Sequence, residues 1–436
     1  MVNRRTMLAA TASLLAARGT LAQGLKPTRS FPAGFLWGAA SAGHQVEGNN
    51  VASDLWLLEQ MKPTVFAEPS GDAVNSFALW PRDLDLAREI GLNSYRFSIE
   101  WSRIEPEPGQ FSVAMLDHYK AMIEGCRARG LEPIVTFNHF TSPRWFAARG
   151  GWLNRDAPDL FAVFCERAAR HLAKGIAYAV TFNEPNLMRL LRSVGLPLPV
   201  QALQREMLAA AARATGTPRF VAANAANFDD VDAMLPVMIK AHEAARVAIK
   251  SARGDLPVGL SLAMFDDQAV GDPTARDRAR KDLYSDWLAV AKRDDFFGVQ
   301  NYEPARYDAN GRLPPPPGAK LNWNGSEVYA PSLAGAVRYA HEVTQVPILV
   351  TEHGVGTDDD PLRSDFIPAA LAELKKVMDS GVPVRGYVHW SLLDNFEWIF
   401  GYKPHYGLAS VDRKTFVRTA KPSAGVLGAI ARRNGL

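Results

Sequence analysis

Eight short apolar runs, separated by amphipathic segments, constrain the fold of this chain more than any other feature. The runs are rich in β-branched and aromatic residues. They lack the strict apolar/polar alternation of a sheet with one solvent-exposed face. They span residues 35–39, 93–99, 132–138, 176–182, 258–264, 296–300, 348–351 and 386–390. Such runs are typical of strands that are buried on both faces, so the pattern predicts a parallel sheet covered by helices.

Helical-period segments fill the intervals between the runs. They span residues 82–90, 113–129, 157–173, 234–251, 275–292, 331–342 and 365–379. Eight strands alternating with helices, with no linker between halves, predict an α/β fold: a single-domain (β/α)8 TIM barrel over residues 23–436. Length alone, 436 residues, would suggest two or three domains, but single α/β barrels commonly exceed about 250 residues.

Two stretches depart from this alternation. Residues 186–232 join the fourth run to the fifth and hold an Ala-rich helical segment at 201–214, which predicts an elaborated loop above the barrel. Residues 308–324 include four consecutive prolines at 314–317. Such a run favours a stiff surface loop over a partner-binding proline motif.

Charge and composition exclude several classes of protein. The chain has 49 Lys and Arg against 46 Asp and Glu, and the excess of three lies within residues 1–22. The remainder is charge-balanced and lacks the basic surface expected of a nucleic-acid binder. No later apolar run reaches the ~18 residues of a membrane helix, so we expect a soluble chain. Cys126 and Cys165 could form one bridge, but two buried thiols are favoured.

The amino terminus has the regions of an export signal. Arg4 and Arg5 precede an apolar stretch at 7–17, and Arg18 and a small-residue site ending at Ala22 follow it. This order predicts a cleaved signal peptide over residues 1–22 that resembles a twin-arginine signal, and hence a periplasmic or secreted protein. The alternative is an ordinary, weakly structured N-terminus.

Carboxylates stand at the ends of two of the predicted strands. Glu184 closes the fourth run and Glu352 closes the seventh, and chemistry in a TIM barrel sits at the C-terminal ends of strands. These strands lie three steps apart in an eightfold ring, roughly 135°, so their carboxyl groups face each other across the mouth. A lone strand-end glutamate is more often simply solvated. Two opposed carboxyl groups can divide the acid and nucleophile roles of glycoside hydrolysis.

Further polar and aromatic residues lie at the same predicted rim. Those with side chains suited to sugars are Gln45, His139, Tyr302, Trp390, Glu397 and Trp398. Each alone would more often be a core or hydrogen-bonded residue. Arg96 lies inside a buried strand and requires an anionic partner, either a mouth carboxylate or a helix acid.

Several long motifs in the right order carry a resemblance to a known family. They are Phe31-Pro-Ala-Gly-Phe-Leu-Trp-Gly-Ala39, Tyr95-Arg-Phe-Ser-Ile-Glu-Trp-Ser-Arg-Ile104, Thr181-Phe-Asn-Glu-Pro185, Val350-Thr-Glu-His-Gly354, Trp390-Ser-Leu-Leu-Asp-Asn-Phe-Glu-Trp398 and Tyr406-Gly-Leu408. From Phe31 to about Pro422 the chain resembles glycoside hydrolase family 1, the retaining β-glucosidases and β-galactosidases. The resemblance implies a hydrolase for β-glucosides or β-galactosides that uses no metal or cofactor.

The resemblance also implies roles for individual residues. Glu184 would be the general acid/base and Glu352 the nucleophile, with carboxyl groups about 5 to 5.5 Å apart. Asn183 would bind the sugar 2-hydroxyl, and Arg96 and Tyr302 would hold Glu352 ionised and lower its pKa. The remaining sugar-site residues would be Gln45, His139, Trp390, Glu397, Trp398 and Tyr406. A carboxylate at Glu397 would repel a 6-phosphate, so the implied substrates are unphosphorylated β-glycosides.

The chain departs from the family pattern at several positions. His44, Phe140, Gln300 and His353 replace the usual residues, and the signature that normally follows the acid/base motif is absent from 186–203. His353 could add a titrating group beside the nucleophile. Alternatives are therefore an enzyme for another glycone or a disaccharide glycoside, or a transglycosylase. A sugar-binding barrel without catalysis and a metal-dependent hydrolase are disfavoured, since the core set is complete and ligand spacing is lacking.

Overall fold

The computed structural model describes residues 30–222 and 227–436. The strands, numbered in chain order, are β1 Leu36–Ala40, β2 Ser94–Ser98, β3 Glu132–Asn138, β4 Tyr178–Asn183, β5 Val258–Ala263, β6 Asp266–Ala269, β7 Phe297–Asn301, β8 Pro304–Asp308, β9 Gly311–Leu313, β10 Ile348–His353, β11 Val384–Trp390, β12 Ala409–Val411 and β13 Arg418–Ala420. The predicted signal peptide lies outside the described residues.

Helices of the described residues follow most of the barrel strands. They are α1 Gly43–Val46, α2 Asp54–Glu59, α3 Ser76–Ile90, α4 Trp101–Ile104, α5 Val113–Ala128, α6 Arg144–Ala148, α7 Ala157–Leu172, α8 Leu187–Val194, α9 Leu198–Thr215, α10 Val231–Ala252, α11 Thr274–Ala291, α12 Ser332–Thr344, α13 Asp360–Asp379 and α14 Pro422–Arg433. Short 3-10 turns lie at Gly151–Leu153, Ala173–Gly175 and Trp398–Phe400.

Eight of the strands close into a barrel. Its order is β1-β11-β10-β7-β5-β4-β3-β2, and every pair is parallel. Each barrel strand therefore lies beside the next one along the chain, as a (β/α)8 fold requires. The predicted TIM barrel is confirmed, and all eight apolar runs are its strands.

Apolar packing fills the barrel from both sides. One cluster draws Leu36, Ile134, Val180, Leu349 and Val388 from five different strands and fills the interior. A larger cluster lies between the strands and the helices. In α7, for example, Phe161, Phe164, Cys165, Ala168 and Leu172 are buried at helical spacing. Both cysteines are buried free thiols, as favoured from the sequence.

Helix α3 begins earlier than the sequence predicts, at Ser76 rather than at residue 82. Pro81 lies inside it and removes one helical hydrogen-bond donor. The buried face nevertheless continues across the proline, since Ser76 donates a 2.6 Å hydrogen bond to Asp83 and both are buried. Asp83 in turn accepts from Arg418, which fastens the helix to the C-terminal region.

The two irregular stretches lie where the sequence suggests elaboration. The first contains α8 and α9, and the second begins at the end of β8 and contains β9, which pairs antiparallel with β8. Both contribute residues to the cavity described below. Among the described residues, we find no helix with the length and apolar character needed to cross a membrane.

Candidate active site

A cavity of about 390 Å³ opens at the C-terminal ends of the barrel strands. It is lined by every residue predicted for the site except Arg96, which is buried. These lining residues are Gln45, His139, Asn183, Glu184, Tyr302, Glu352, Trp390, Glu397, Trp398 and Tyr406. These predicted residues come from six of the eight strand ends or the loops after them, and they meet in one cavity.

Glu352 lies in β10 and is held by two hydrogen bonds. Arg96 Nη1 donates to Oε1 over 2.6 Å, and the Tyr302 hydroxyl donates to Oε2 over 2.6 Å. The register of β10 against β7 shifts between Val350 and Glu352. Such an irregularity re-aims a side chain, and it lies immediately before the carboxyl group in question.

The pKa of Glu352 is raised, which corrects the expectation that it would be lowered. Burial is the largest cause, because it penalises the charged carboxylate. Arg96 and Tyr302 oppose this rise through their charge and hydrogen bonds. Their effect is to keep the pKa of Glu352 from rising as far as that of a buried carboxyl group without such partners.

Glu184 is also buried but lacks such partners. It follows β4 directly and adopts a left-handed backbone with φ of 44°, unusual for a residue other than glycine. Its amide donates a 2.8 Å hydrogen bond to Ser261 O, but none of the described residues donates one to its carboxyl group. Burial, followed by the negative charge of Glu352, raises the pKa of Glu184 well above its ordinary value. Glu184 therefore retains its proton when Glu352 has lost its own.

Arg96 links the two sides of the mouth. Besides Glu352, its guanidinium donates to Asn183 Oδ1, which also accepts from Gln300 Nε2 over 2.7 Å. The Asn183 oxygen is thus fully engaged, and this orients the amide so that Nδ2 is left free. Gln300, identified from sequence as a departure from the family, supplies the second of these bonds.

Several buried polar atoms at the cavity lack partners among the described residues. They are Gln45 Oε1, His139 Nδ1, Asn183 Nδ2 and Gln300 Oε1. Buried polar atoms are normally hydrogen-bonded, so a group of unsatisfied ones around a cavity indicates a site for a polar ligand. Donors and acceptors are both present, as a ligand rich in hydroxyl groups requires.

Aromatic rings form one wall of the cavity. The His139 ring stacks 5.7 Å from that of Trp390 and 6.2 Å from that of Trp398. Trp390 Nε1 donates to Glu397 Oε1 over 3.3 Å. Burial raises the pKa of Glu397 well above its ordinary value and lowers that of His139 well below it, so both favour their neutral forms.

The structure adds a residue that the sequence analysis missed. Trp323 Nε1 donates a 2.8 Å hydrogen bond to the Tyr406 hydroxyl, and both residues line the cavity. Trp323 lies in the proline-rich stretch, and no strand-end motif marks it. The sequence offers one signal for this residue, which is a tryptophan between two asparagines in an otherwise irregular loop.

The other departures from the family pattern have definite surroundings. The His44 ring is buried and stacks on Trp398 at 5.8 Å, and its Nε2 lies 2.7 Å from Glu59 Oε1. Phe140 packs edge-on against Trp398 at 5.2 Å. His353 hydrogen-bonds the Tyr387 hydroxyl at 2.9 Å, and burial lowers its pKa to about 3. His353 is therefore neutral and does not titrate near neutral pH.

The described residues contain no group of three or more His, Cys, Asp or Glu side chains arranged to hold a metal ion. The chemistry that this cavity can perform from its own side chains is acid/base and nucleophilic. A parallel barrel with two carboxyl groups on strands three steps apart at its mouth, one paired with arginine and one unpaired, defines a glycoside hydrolase.

Comparison with known proteins identifies the family. A sequence profile of glycosyl hydrolase family 1 matches residues 27–212 and 289–436. The chain belongs to this family. The profile does not match residues 213–288, which hold α10, β5, β6 and most of α11.

Individual relatives agree with this assignment. The chain is 30% identical to a β-glucosidase of Agrobacterium sp. over 439 residues, covering 92% of this chain and 95% of the relative. It is 27% identical over 452 residues to β-glucosidase A of Thermotoga maritima, covering 94% and 99%. The solved apo structure of a β-glucosidase designated 1317 superposes with a TM-score of 0.88 at 44% identity, covering 92% and 98%.

Proposed function

We propose that this glycoside hydrolase removes terminal β-glucosyl or β-galactosyl residues from unphosphorylated glycosides by a retaining mechanism. The observation that carries the proposal is the inequality of the two carboxyl groups. Glu352 has Arg96 and Tyr302 as partners, whereas Glu184 has none and its pKa is raised well above its ordinary value. One group is thus suited to be an anionic nucleophile and the other a proton donor.

The first half of the reaction uses both groups at once. Glu352 attacks the anomeric carbon and forms an ester bond to the sugar. The glycosidic C–O bond breaks, and its oxygen takes the proton of Glu184, so the aglycone leaves as a neutral alcohol. Arg96 and Tyr302 hold the attacking carboxylate in place, and Asn183 Nδ2 is free to bind the sugar 2-hydroxyl.

The second half reverses these roles. Glu184, now a carboxylate, takes a proton from water as the water oxygen attacks the anomeric carbon. The ester bond breaks, Glu352 returns as a carboxylate, and Glu184 is protonated again. Two displacements at the same carbon leave the sugar with its original β configuration.

The cavity composition supports unphosphorylated substrates. Neither lysine nor arginine is found among the described residues that line the cavity. The acidic residues Glu303 and Glu397 do line it. A sugar phosphate would lose its hydration without gaining a cation, which is strongly unfavourable.

A panel of 4-nitrophenyl glycosides tests the proposed function. We expect the β-glucoside or the β-galactoside to give the highest kcat/KM among β-gluco, β-galacto, β-fuco, β-xylo, β-glucurono and rutinoside substrates. The relatives named above are β-glucosidases by name, which favours the β-glucoside. We expect kcat/KM for the 6-phosphorylated β-glucoside to be at least about 100-fold lower than for the unphosphorylated one. A preference for rutinoside, or product dominated by transfer to an added alcohol, would instead support a disaccharide glycosidase or a transglycosylase.

Replacing Arg96 tests how the nucleophile is kept ionised. Because the Arg96 charge opposes the rise in the pKa of Glu352, Arg96→Met should raise that pKa further. Glu352 must be ionised to react, so the acid limb of kcat/KM should move to higher pH, with a loss of roughly 100-fold or more at neutral pH.

Arg96→Lys retains the charge and is the matched control, with folding monitored by thermal denaturation. We expect its acid limb to lie between those of wild type and Arg96→Met. An acid limb that is identical in all three proteins would contradict this role for Arg96.

We further propose that residues 1–22 direct export through the twin-arginine route, since Arg4 and Arg5 precede an apolar stretch. Expressed in a bacterium with this route, the protein should reach the periplasm with a new N-terminus at Gln23. Replacing Arg4 and Arg5 together by lysine should leave it in the cytoplasm at full length. Periplasmic protein that still begins with residues 1–22 by mass spectrometry would refute cleavage.

A further inference from the structure

The outer part of the cavity is bounded by an apolar helix face. Helix α8 begins three residues after Glu184, and Leu187, Leu190, Leu191 and Val194 all line the cavity. Their spacing of three, one and three residues places them on a single face of the helix. The helix thus presents a continuous aliphatic wall beside the general acid.

Ion pairs on the other face hold α8 in this orientation. Arg189 Nη2 and Arg192 Nη1 contact the two oxygens of Asp232 at 2.7 and 3.0 Å. Asp232 lies in the first turn of α10, so α8 is tied to a long barrel helix. Two arginines sharing one carboxylate oppose rotation of the helix about its axis, which would turn the leucines away from the cavity.

The opposite rim is also apolar and open. Phe400 and Ile399 line the cavity, and the Phe400 ring lies 4.7 Å from that of Trp323 in a T-shaped arrangement. Val194 is 51% exposed and Phe400 is 48% exposed. Apolar side chains that are half exposed at the mouth of a cavity can gain burial when a ligand covers them.

Some polar groups of this outer region are engaged within the protein. Glu303 is paired with Arg312 at 3.1 Å, and Asn322 Oδ1 accepts from the amides of Asn324 and Ser326. Gln204 differs, because its buried side-chain amide has no partner among the described residues. The outer cavity thus offers an aliphatic wall, aromatic rims and, in Gln204, a buried amide without a partner among the described residues.

We propose that this outer cavity binds an apolar aglycone, aryl or alkyl, in preference to a second sugar. The inference rests on the proposed glycosidase function and adds the substrate class. Sugar hydroxyl groups placed against α8 would lose their hydration without replacement hydrogen bonds, which is costly. An aryl or alkyl group would instead gain from burial against the same side chains.

A chain-length series measures this preference. The substrates are methyl, butyl, hexyl and octyl β-glycosides of the sugar preferred in the 4-nitrophenyl panel, used below micelle-forming concentrations, with the β-1,4-linked disaccharide as the polar aglycone. We expect kcat/KM to rise roughly two- to fourfold per buried methylene until the wall is covered. The octyl glycoside should exceed the disaccharide by at least about tenfold.

Val194→Asn tests whether α8 is the wall. It should flatten the rise with chain length, because a polar amide replaces an aliphatic contact at the rim. Val163→Asn on α7 is the matched control, since Val163 is 52% exposed, lies within a helix and does not line the cavity. We expect the Val163 variant to keep the wild-type slope, and Phe400→Ser to reproduce the effect of Val194→Asn from the opposite rim.

The outcomes separate this inference from the proposed function. A flat series in the wild-type enzyme, or a disaccharide cleaved as efficiently as the octyl glycoside, would overturn the apolar aglycone while 4-nitrophenyl glycosides are still hydrolysed. A normal slope retained in both rim variants would overturn the assignment to α8 and Phe400. Failure to cleave any 4-nitrophenyl glycoside would instead contradict the proposed function itself.

Discussion

Replacing Glu352 with glycine will lower kcat/KM for 4-nitrophenyl glycosides by at least about 10⁴-fold. The loss follows from the position of Glu352, whose oxygens are held by Arg96 and Tyr302 at 2.6 Å each. With the carboxylate gone, nothing forms the glycosyl ester, and glycine leaves space where it stood. Steady-state release of 4-nitrophenol measures the loss.

Azide distinguishes loss of the nucleophile from a general loss of structure. A small anion that enters the vacated space can attack the anomeric carbon directly, while Glu184 still protonates the leaving group. The expected product is the α-glycosyl azide, because a single displacement inverts the β configuration. Turnover of Glu352→Gly within tenfold of wild type without azide, or a β-glycosyl azide product, would contradict the assignment.

Replacing Glu184 with alanine will produce the complementary pattern. For an alkyl glycoside, whose leaving group needs a proton, kcat/KM should fall by about 10² to 10⁴-fold. For a 2,4-dinitrophenyl glycoside, which departs without a proton, kcat/KM should fall by less than about tenfold. Azide should now react with the glycosyl-enzyme and yield the β-glycosyl azide, the opposite anomer from that of Glu352→Gly.

The pH profile gives the sign of the same effect. The pKa of Glu184 is raised by burial and by the charge of Glu352, so the wild-type enzyme loses its proton donor, and its activity, as pH rises through that pKa. With an alkyl glycoside, whose leaving group needs the proton, the residual activity of Glu184→Ala should lack this alkaline limb. Glu184→Gln keeps the side-chain volume and should behave like the alanine variant. An alkaline limb that persists in both would assign it to another group.

Residues at strand ends could be predicted from the sequence because the barrel itself dictates where they lie. Once the eight apolar runs are ordered into a closed parallel sheet, Glu184 and Glu352 must meet at one end of it. The contact of Arg96 with Glu352 follows in the same way, since a cation in a buried strand needs an anion. The structure brings all of these residues together.

Residues in the irregular stretches could not be predicted in this way. Trp323 and the α8 face reach the cavity through loops whose path is set by tertiary packing rather than by periodicity. The bond from Trp323 to Tyr406 joins positions 83 residues apart, and no local pattern reports it. The proposed aglycone site therefore follows only from the three-dimensional arrangement of these loops.

The direction of the pKa shifts at the site could not be predicted from the sequence either. Arg96 beside Glu352 predicts a lowered pKa, but the net direction depends on how completely the pair is buried, and burial outweighs the arginine. His353 looked like a titrating neighbour of the nucleophile. Its burial keeps it neutral, with a pKa of about 3.

In the proposed mechanism the sugar becomes covalently attached to Glu352. Incubation with a 2,4-dinitrophenyl 2-deoxy-2-fluoro-β-glycoside should trap this ester. The fluorine slows both steps, whereas the dinitrophenolate leaving group keeps the first step fast enough for the ester to accumulate. Mass spectrometry of the digested protein should then place one fluoroglycosyl group on Glu352 in the peptide that spans β10. Label on any other residue, or inactivation without a covalent adduct, would contradict the mechanism.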